Sequence, residues 1–184
     1  MNTYILIYDD FAQFEVILAN YFLKTKGKII TVGINKDSVI SSEGFITVPH
    51  ISLDEVLVKN VDLFIIPGGN PENILDNKSF YTLLKRISDE NKKIGAICSG
   101  VIHLAKSEVL NDKKFTTSVS LDENKYFNKN NFVNQNVIVD NNIITAKANG
   151  YVDFALELGK VMGIYESEED LQETISYFKE FKDQ

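Results

Sequence analysis

The chain has 184 residues, 44% of them apolar, with 19 basic against 26 acidic side chains and a formal charge of −7. At roughly 150 residues per domain, this length predicts a single domain over 1–184 with a real core, which excludes a disordered chain. The acidic balance argues against nucleic acid and anionic membrane as partners, since both need a basic face.

Tyr4–Tyr8 predicts the first strand. It has no basic lead-in and stops at Asp9-Asp10, so it reads as neither a signal sequence nor a membrane span. With Cys98 as the one cysteine, no internal disulfide can form, and a reducing, cytoplasmic setting is expected. Two histidines, His50 and His103, exclude a multi-histidine metal site. The segment Phe11–Thr25 has a helical period, and Lys28–Ile34 reads as the second strand. Ser38–Val48 looks like a small hairpin turning at Ser42-Glu43-Gly44. Strands at Val61–Ile66 and Lys93–Ile97 are separated by a helix at Ser79–Glu90 and followed by one at Ser99–Ala105. Phe127–Asn136, rich in Asn and Lys, reads as an exposed loop. Val137–Ala146 reads as a second hairpin turning at Asp140-Asn141-Asn142, and Val152–Met162 as a helix. Ser167-Glu168-Glu169-Asp170 opens a C-terminal helix at about 167–182, whose Leu171, Ile175 and Phe178 stripe packs on the domain or on a partner subunit. Uninterrupted runs such as Leu63-Phe64-Ile65-Ile66 suit strands buried on both faces of a parallel sheet. Their alternation with helices predicts an α/β fold, a three-layer α/β/α sandwich with small β-hairpin additions.

Three chemical features follow three of these strands. Asp9-Asp10 and Glu15 come after the first, Pro67-Gly68-Gly69 after the third, and Cys98 after the fourth. In an open parallel sheet the carboxyl ends of the strands share one edge, where ligands bind. Cys98 sits in Gly95-Ala96-Ile97-Cys98-Ser99-Gly100, with small residues two places before and after it, as a tight strand-to-helix turn requires. Such a turn puts the sulfur at a helix N-terminus, whose amides and dipole favour the thiolate. A small, inert, buried cysteine is the ordinary alternative. On the following helix, Phe11, Phe14, Leu18 and Phe22 mark a core face, and Glu15 falls inside that stripe. A carboxyl there should have a raised pKa and need a hydrogen-bond partner; an exposed first turn would instead leave it an ordinary surface acid. Gly68-Gly69 leaves backbone N–H groups free to face a reacting oxygen, though Pro-Gly-Gly is also a plain turn. His103 lies five residues beyond Cys98, about 7.5 Å along a helix and rotated by about 140°, so its ring should point away from the sulfur. His50 has no evident partner.

Taken in order, these residues resemble the ThiJ/PfpI superfamily of cysteine-containing, flavodoxin-like proteins, which share the class I glutamine amidotransferase-like fold. The matching stretches are Asp9-Asp10-Phe11-Ala12-Gln13-Phe14-Glu15, the Ser41–Pro49 hairpin, Phe64-Ile65-Ile66-Pro67-Gly68-Gly69, Ala96-Ile97-Cys98-Ser99-Gly100, and Ile144-Thr145-Ala146 followed by Phe154-Ala155. The match extends to about Met162. The resemblance implies Cys98 as nucleophile, Glu15 as the carboxylate hydrogen-bonded to it, and the Gly69 and Ser99 amides, beside Gly68, as oxyanion donors. It also implies a homodimer. The sequence departs from the pattern where Ser99, not histidine, follows the cysteine, which speaks against peptidase activity. Phe115-Thr116-Thr117-Ser118-Val119 lacks the histidine many members carry, and nothing after His103 supplies the late histidine of glutamine amidotransferases. Flavodoxins and response-regulator receivers drop out because Asp9-Asp10 would repel phosphate and Ile66-Pro67 replaces a receiver's aspartate.

Two functions fit. The first is a cysteine-dependent enzyme on a small electrophile (a carbonyl, as in glyoxalases and deglycases, or a nitrile-like or amide group), needing no metal or organic cofactor, with Cys98 as nucleophile and Glu15 as proton carrier. The second is a redox sensor or stress-response chaperone in which Cys98 is oxidised to a sulfinate.

Overall fold

Apolar runs with no polar interruption can be satisfied only between two helical layers, and the chain uses them that way. The computed structural model, which describes residues 1–183, has the order β1 (Asn2–Leu6), α1 (Phe14–Leu23), β2 (Lys28–Gly33), β3 (Val39–Ile40), β4 (Ile46–Thr47), β5 (Ile51–Ser52), β6 (Leu63–Ile66), α2 (Lys78–Asp89), β7 (Lys93–Ile97), α3 (Val101–Lys106), β8 (Val137–Asp140), β9 (Ile143–Ala146), α4 (Tyr151–Val161) and α5 (Glu168–Phe178). Seven strands form one sheet in the order β5-β2-β1-β6-β7-β9-β8. All neighbours are parallel except β8, which turns back on β9 as a hairpin. All four residues of β6 and all four of β9 are buried. Helices α1 and α4 pack together on one face, with α5 laid against α1 through Phe178 and Phe22, and α2 adjoins α3 on the other. This is the three-layer, flavodoxin-like α/β/α sandwich.

Chain direction fixes where a site can form. From β1 the chain steps outward to β2, whereas β6 lies on the other side of β1 and continues to β7. The crevice above β1 and β6 is therefore the switch point of the sheet, the place where open α/β folds bind ligands.

The structure corrects some local expectations and narrows others. Helix α1 starts at Phe14 rather than Phe11, because Asp10 takes a positive φ of 65° and Phe11 bridges to Gly69 instead of entering the helix. The buried face of α1 is Glu15, Val16, Ala19, Phe22 and Leu23, while Phe14 is 49% exposed with its ring edge against Tyr151. The two-residue edge strand β5 has no counterpart in the pattern. The loop 127–136 is not wholly exposed: Phe127 is buried and stacks on Phe115 at 5.0 Å. His50 has partners after all, its Nδ1 lying 3.0 Å from the Thr31 N–H and 2.7 Å from the Thr31 hydroxyl. His103 is fully buried among Tyr8, Phe80 and Tyr81, with Nδ1 3.1 Å from the Tyr81 hydroxyl. At the start of α5, Ser167 accepts from the Asp170 N–H, but Asp170, one methylene shorter than glutamate, accepts from the Glu166 N–H rather than completing a capping box. The Leu171, Ile175 and Phe178 stripe packs on the domain itself, with Leu171 buried.

Helix α4 seats on β7 where Gly95 gives it room, since a Cβ there would lie 3.1 Å from both Phe154 and Leu158. Phe154 is completely buried. Phe154→Ala should lower stability by about 3–5 kcal/mol, read as a drop in urea midpoint with little change in slope. A loss below about 1 kcal/mol would show that this seat does not anchor the helix.

Candidate active site

The ends of β1, β6 and β7 are neighbours in the sheet, so the segments following them meet. After β7 the chain turns sharply: Cys98 has φ 57°, a left-handed conformation that costs a residue with a Cβ, and Cys98–Gly100 form a 3₁₀ turn leading into α3. The turn can close only over glycine. A Cβ on Gly100 would lie 2.5 and 2.6 Å from the carbonyl oxygens of Pro67 and Ile66. From the far side Thr117 donates its hydroxyl to the Cys98 carbonyl at 2.8 Å, holding the strained peptide.

Glu15 arrives from the first turn of α1 and is 2% exposed. Its Oε2 accepts the Gly68 N–H at 2.7 Å. Gly68 also marks how tightly the pair meets: a Cβ there would be 2.7 Å from Glu15 Oε2 and 3.1 Å from Cys98 Sγ. Carboxylate and sulfur thus face the same point, and any side chain at 68 would part them. The helix start that carries Glu15 is capped from outside. Glu43, in the turn between β3 and β4, accepts the N–H groups of Gln13 at 3.1 Å and Phe14 at 3.0 Å. Ser42 fastens the same hairpin to the Asp10 carbonyl through its hydroxyl at 2.8 Å.

The electrostatics of the pair follow from burial. Glu15 is held above the usual carboxylate range, first by desolvation and then by Glu43, with the Gly68 N–H and the Cys98 thiol pulling the other way. The Cys98 thiol is pushed up to about 12 by burial, by the charge of Glu15 and by its interaction with that carboxylate. This reverses the expectation of a thiolate favoured by a helix end. Helix α3 has only six residues, and the lowering supplied by the Ser99 N–H and hydroxyl is outweighed. Burial thus favours the neutral thiol at Cys98 and disfavours charge on Glu15 as well.

The three remaining site residues do different things. Gly68 spends its N–H on Glu15, so it is a clamp for the carboxylate and not an oxyanion donor. Gly69 has φ 119°, and a Cβ there would be 2.1 Å from the Asp10 carbonyl, so both conformation and space demand glycine. Its N–H has no acceptor among the described residues, because the bridge to Phe11 is closed by Ala12 N–H to the Gly68 carbonyl and Asn70 N–H to the Asp10 carbonyl. Ser99 presents its N–H toward the sulfur, while its hydroxyl donates to the Gly69 carbonyl at 2.9 Å. Neither histidine hydrogen-bonds Cys98; His50 is engaged with Thr31 and His103 with Tyr81. At the place of the missing histidine, Thr117 supports the cysteine backbone and Ser118 accepts the Ala148 N–H at 2.8 Å. Among the described residues, no group of three His, Cys, Asp or Glu side chains gathers as a metal site, and no helix is long and apolar enough to cross a membrane. Two contributors had no sequence signal. Tyr8 reads as one more apolar strand residue, and Glu43 as a hairpin turn residue 28 positions from the acid whose helix it caps.

Comparison with known proteins agrees with this architecture. The model of the DJ-1/PfpI family matches residues 1–160. A Bacillus subtilis protein named uncharacterized protease YoaZ is 31% identical over 147 residues, covering 75% of this chain and 68% of its own length. Deglycase TK1284 of Thermococcus kodakarensis is 25% identical over 126 residues, covering 67% of this chain and 76% of its own. In three dimensions the crystal structure of the DJ-1 superfamily protein Atu0886 from Agrobacterium tumefaciens superposes with a TM-score of 0.87 at 24% identity, over 99% of this chain and 100% of that one. A fold with its elbow cysteine, buried glutamate and Pro-Gly-Gly turn at one sheet edge, matched over most of its length by the family model, places the chain in the DJ-1/PfpI family.

Proposed function

We propose that the protein is a cysteine-dependent enzyme that adds the Cys98 thiol to a small carbonyl substrate, with Glu15 carrying the proton. The observation that carries this reading is the convergence of Cys98 Sγ and Glu15 Oε2 on one point beside the open N–H of Gly69. The deglycase names among the relatives support a carbonyl-derived substrate.

As sulfur attacks the carbonyl carbon, the S–C bond forms and the carbonyl π pair moves onto oxygen. The thiol proton passes to Glu15, which is a better acceptor for being desolvated. The N–H groups of Gly69 and Ser99 hold the oxyanion. Glu15 then returns the proton to that oxygen, leaving a neutral hemithioacetal. Apart from the substrate carbonyl, every group in the step belongs to the chain. The neutral resting thiol weighs against the redox-sensor reading, because oxidants take the thiolate. The absence of a histidine on Cys98 weighs against a peptidase. We further propose a homodimer, built not on the 167–181 stripe but on the apolar face left open by Phe14, Ile17 and Tyr21 of α1 and Phe45 and Ile46 of the hairpin.

Against a small α-oxoaldehyde, Cys98→Ser should cut turnover by about 10³ or more and Glu15→Gln by about 10²–10⁴, both without loss of fold; undiminished turnover in the serine variant sinks the reading. Alkylation by iodoacetamide should behave differently. Thiolate is the reactive form, so below its pKa the rate climbs about tenfold per pH unit. With the thiol pushed up to about 12, the wild-type rate should still be rising at pH 10. Glu15→Gln removes a charge that raises the thiol, so its profile should shift to lower pH and alkylation at pH 8 should quicken while turnover falls. A wild-type plateau at or below pH 8.5 would contradict the electrostatic account. Light scattering should give twice the 20.8 kDa chain mass, and a monomer mass at working concentration removes the dimer proposal.

A further inference from the structure

Tyr8 lies just beyond β1, 2% exposed, with its ring held between Phe11 at 6.3 Å and the edge of His103 at 6.5 Å. Its hydroxyl donates to the Gly68 carbonyl at 2.8 Å and lies 3.3 Å from that of Pro67. The Gly68 carbonyl does not need this bond for satisfaction, since the Ala12 N–H already donates to it at 2.9 Å. A phenylalanine would fill the same space with no hydroxyl to desolvate. The extra bond falls on one particular peptide: the Gly68 carbonyl and the Gly69 N–H are the two ends of a single amide plane. The carbonyl end thus accepts two hydrogen bonds while the N–H end has no acceptor among the described residues. On the far side of Gly69 the Ser99 hydroxyl fixes the next carbonyl at 2.9 Å.

We propose that Tyr8 is a positioning residue for the oxyanion amide: its hydroxyl, acting through the Gly68 carbonyl, fixes and polarises the Gly68–Gly69 peptide so that the Gly69 N–H meets negative charge forming beside Cys98. Hydrogen bonds in series strengthen one another in a low-dielectric interior, and a donor already fixed needs no reorganisation when the charge appears. Burial and the facing Glu15 and Cys98 hold the phenol above its ordinary value, so it remains a donor at every working pH. The inference rests on the reading of Gly69 as an oxyanion donor, but not on any particular substrate.

The test compares two reactions of the same sulfur in wild type and Tyr8→Phe. Acylation of Cys98 by p-nitrophenyl acetate passes through a tetrahedral oxyanion; alkylation by iodoacetamide does not. Loss of a whole oxyanion donor costs about 10²–10³-fold, and loosening one should cost less. The expected result is a three- to tenfold fall in acylation with alkylation within twofold of wild type. The substitution removes one oxygen and leaves Gly68 bonded to Ala12, so the variant keeps its fold; the far-UV spectrum and urea midpoint verify this. An unchanged acylation rate, or a parallel fall in both reactions, overturns the proposal. So does a wild-type Cys98 that cannot be acylated, which also removes the oxyanion site. A wild type that acylates yet turns over no carbonyl substrate fails the proposed function alone and leaves the Tyr8 ratio decisive.

Discussion

Gly68 donates and accepts at once: its N–H goes to the Glu15 carboxylate at 2.7 Å, while its carbonyl receives the Tyr8 hydroxyl and the Ala12 N–H. Through these three bonds one residue, and the two peptides that flank it, tie the end of β6 to the loop after β1 and to the first turn of α1. Cys98 then leans on the same residue, its Cβ only 2.7 Å from where a Gly68 side chain would begin. Because the bonds come from elements far apart in sequence, the site has no geometry until the parallel sheet has closed around it.

That arrangement explains why a residue as costly to bury as glutamate is tolerated under α1. Its Oε2 accepts a main-chain N–H, the Cys98 sulfur lies beside the same point, and the Glu43 cap fixes the helix end that carries it. Desolvation works on both members of the pair in the same direction, disfavouring the charged form of each. The strained φ at Cys98 is sustained by contacts that surround it: Thr117 on its carbonyl, and the approach of Gly100 to the end of β6.

The layered fold is legible in the sequence because its cause is local: buried strands read as apolar runs, helices as 3.6-residue periods, and hairpins as Asn- and Gly-centred turns. The location of the site follows from the same pattern, since strand order alone brings three loops to one edge. What the sequence cannot display is direction. The sequence pattern centres the α1 stripe on Phe11, Phe14, Leu18 and Phe22, yet the late helix start turns Phe14 outward and brings Val16 and Ala19 in beside Glu15. Strand β5, two residues long, has no period to detect. The thiol's ionisation depends on how deeply the sulfur sits and what faces it, and both outweigh the short helix behind it. Tyr8 is the clearest case, because an apolar-strand tyrosine looks the same whether or not its hydroxyl finds a carbonyl.

His103, packed without solvent among three aromatic rings, gives the fold a proton linkage of its own. Burial and then the nearby Lys106 cation hold its imidazole down to about 3. At neutral pH the ring is uncharged in the folded chain and mostly uncharged in the unfolded one, so it contributes little. Below about 6.5 the unfolded chain takes up a proton that the folded chain refuses, and the balance tilts toward unfolding by about 1.4 kcal/mol per pH unit until the folded value is reached. One interior imidazole, with no hydrogen bond to Cys98, thereby contributes a loss of stability as the solvent is acidified, opposite in sign to the contribution of the buried Glu15.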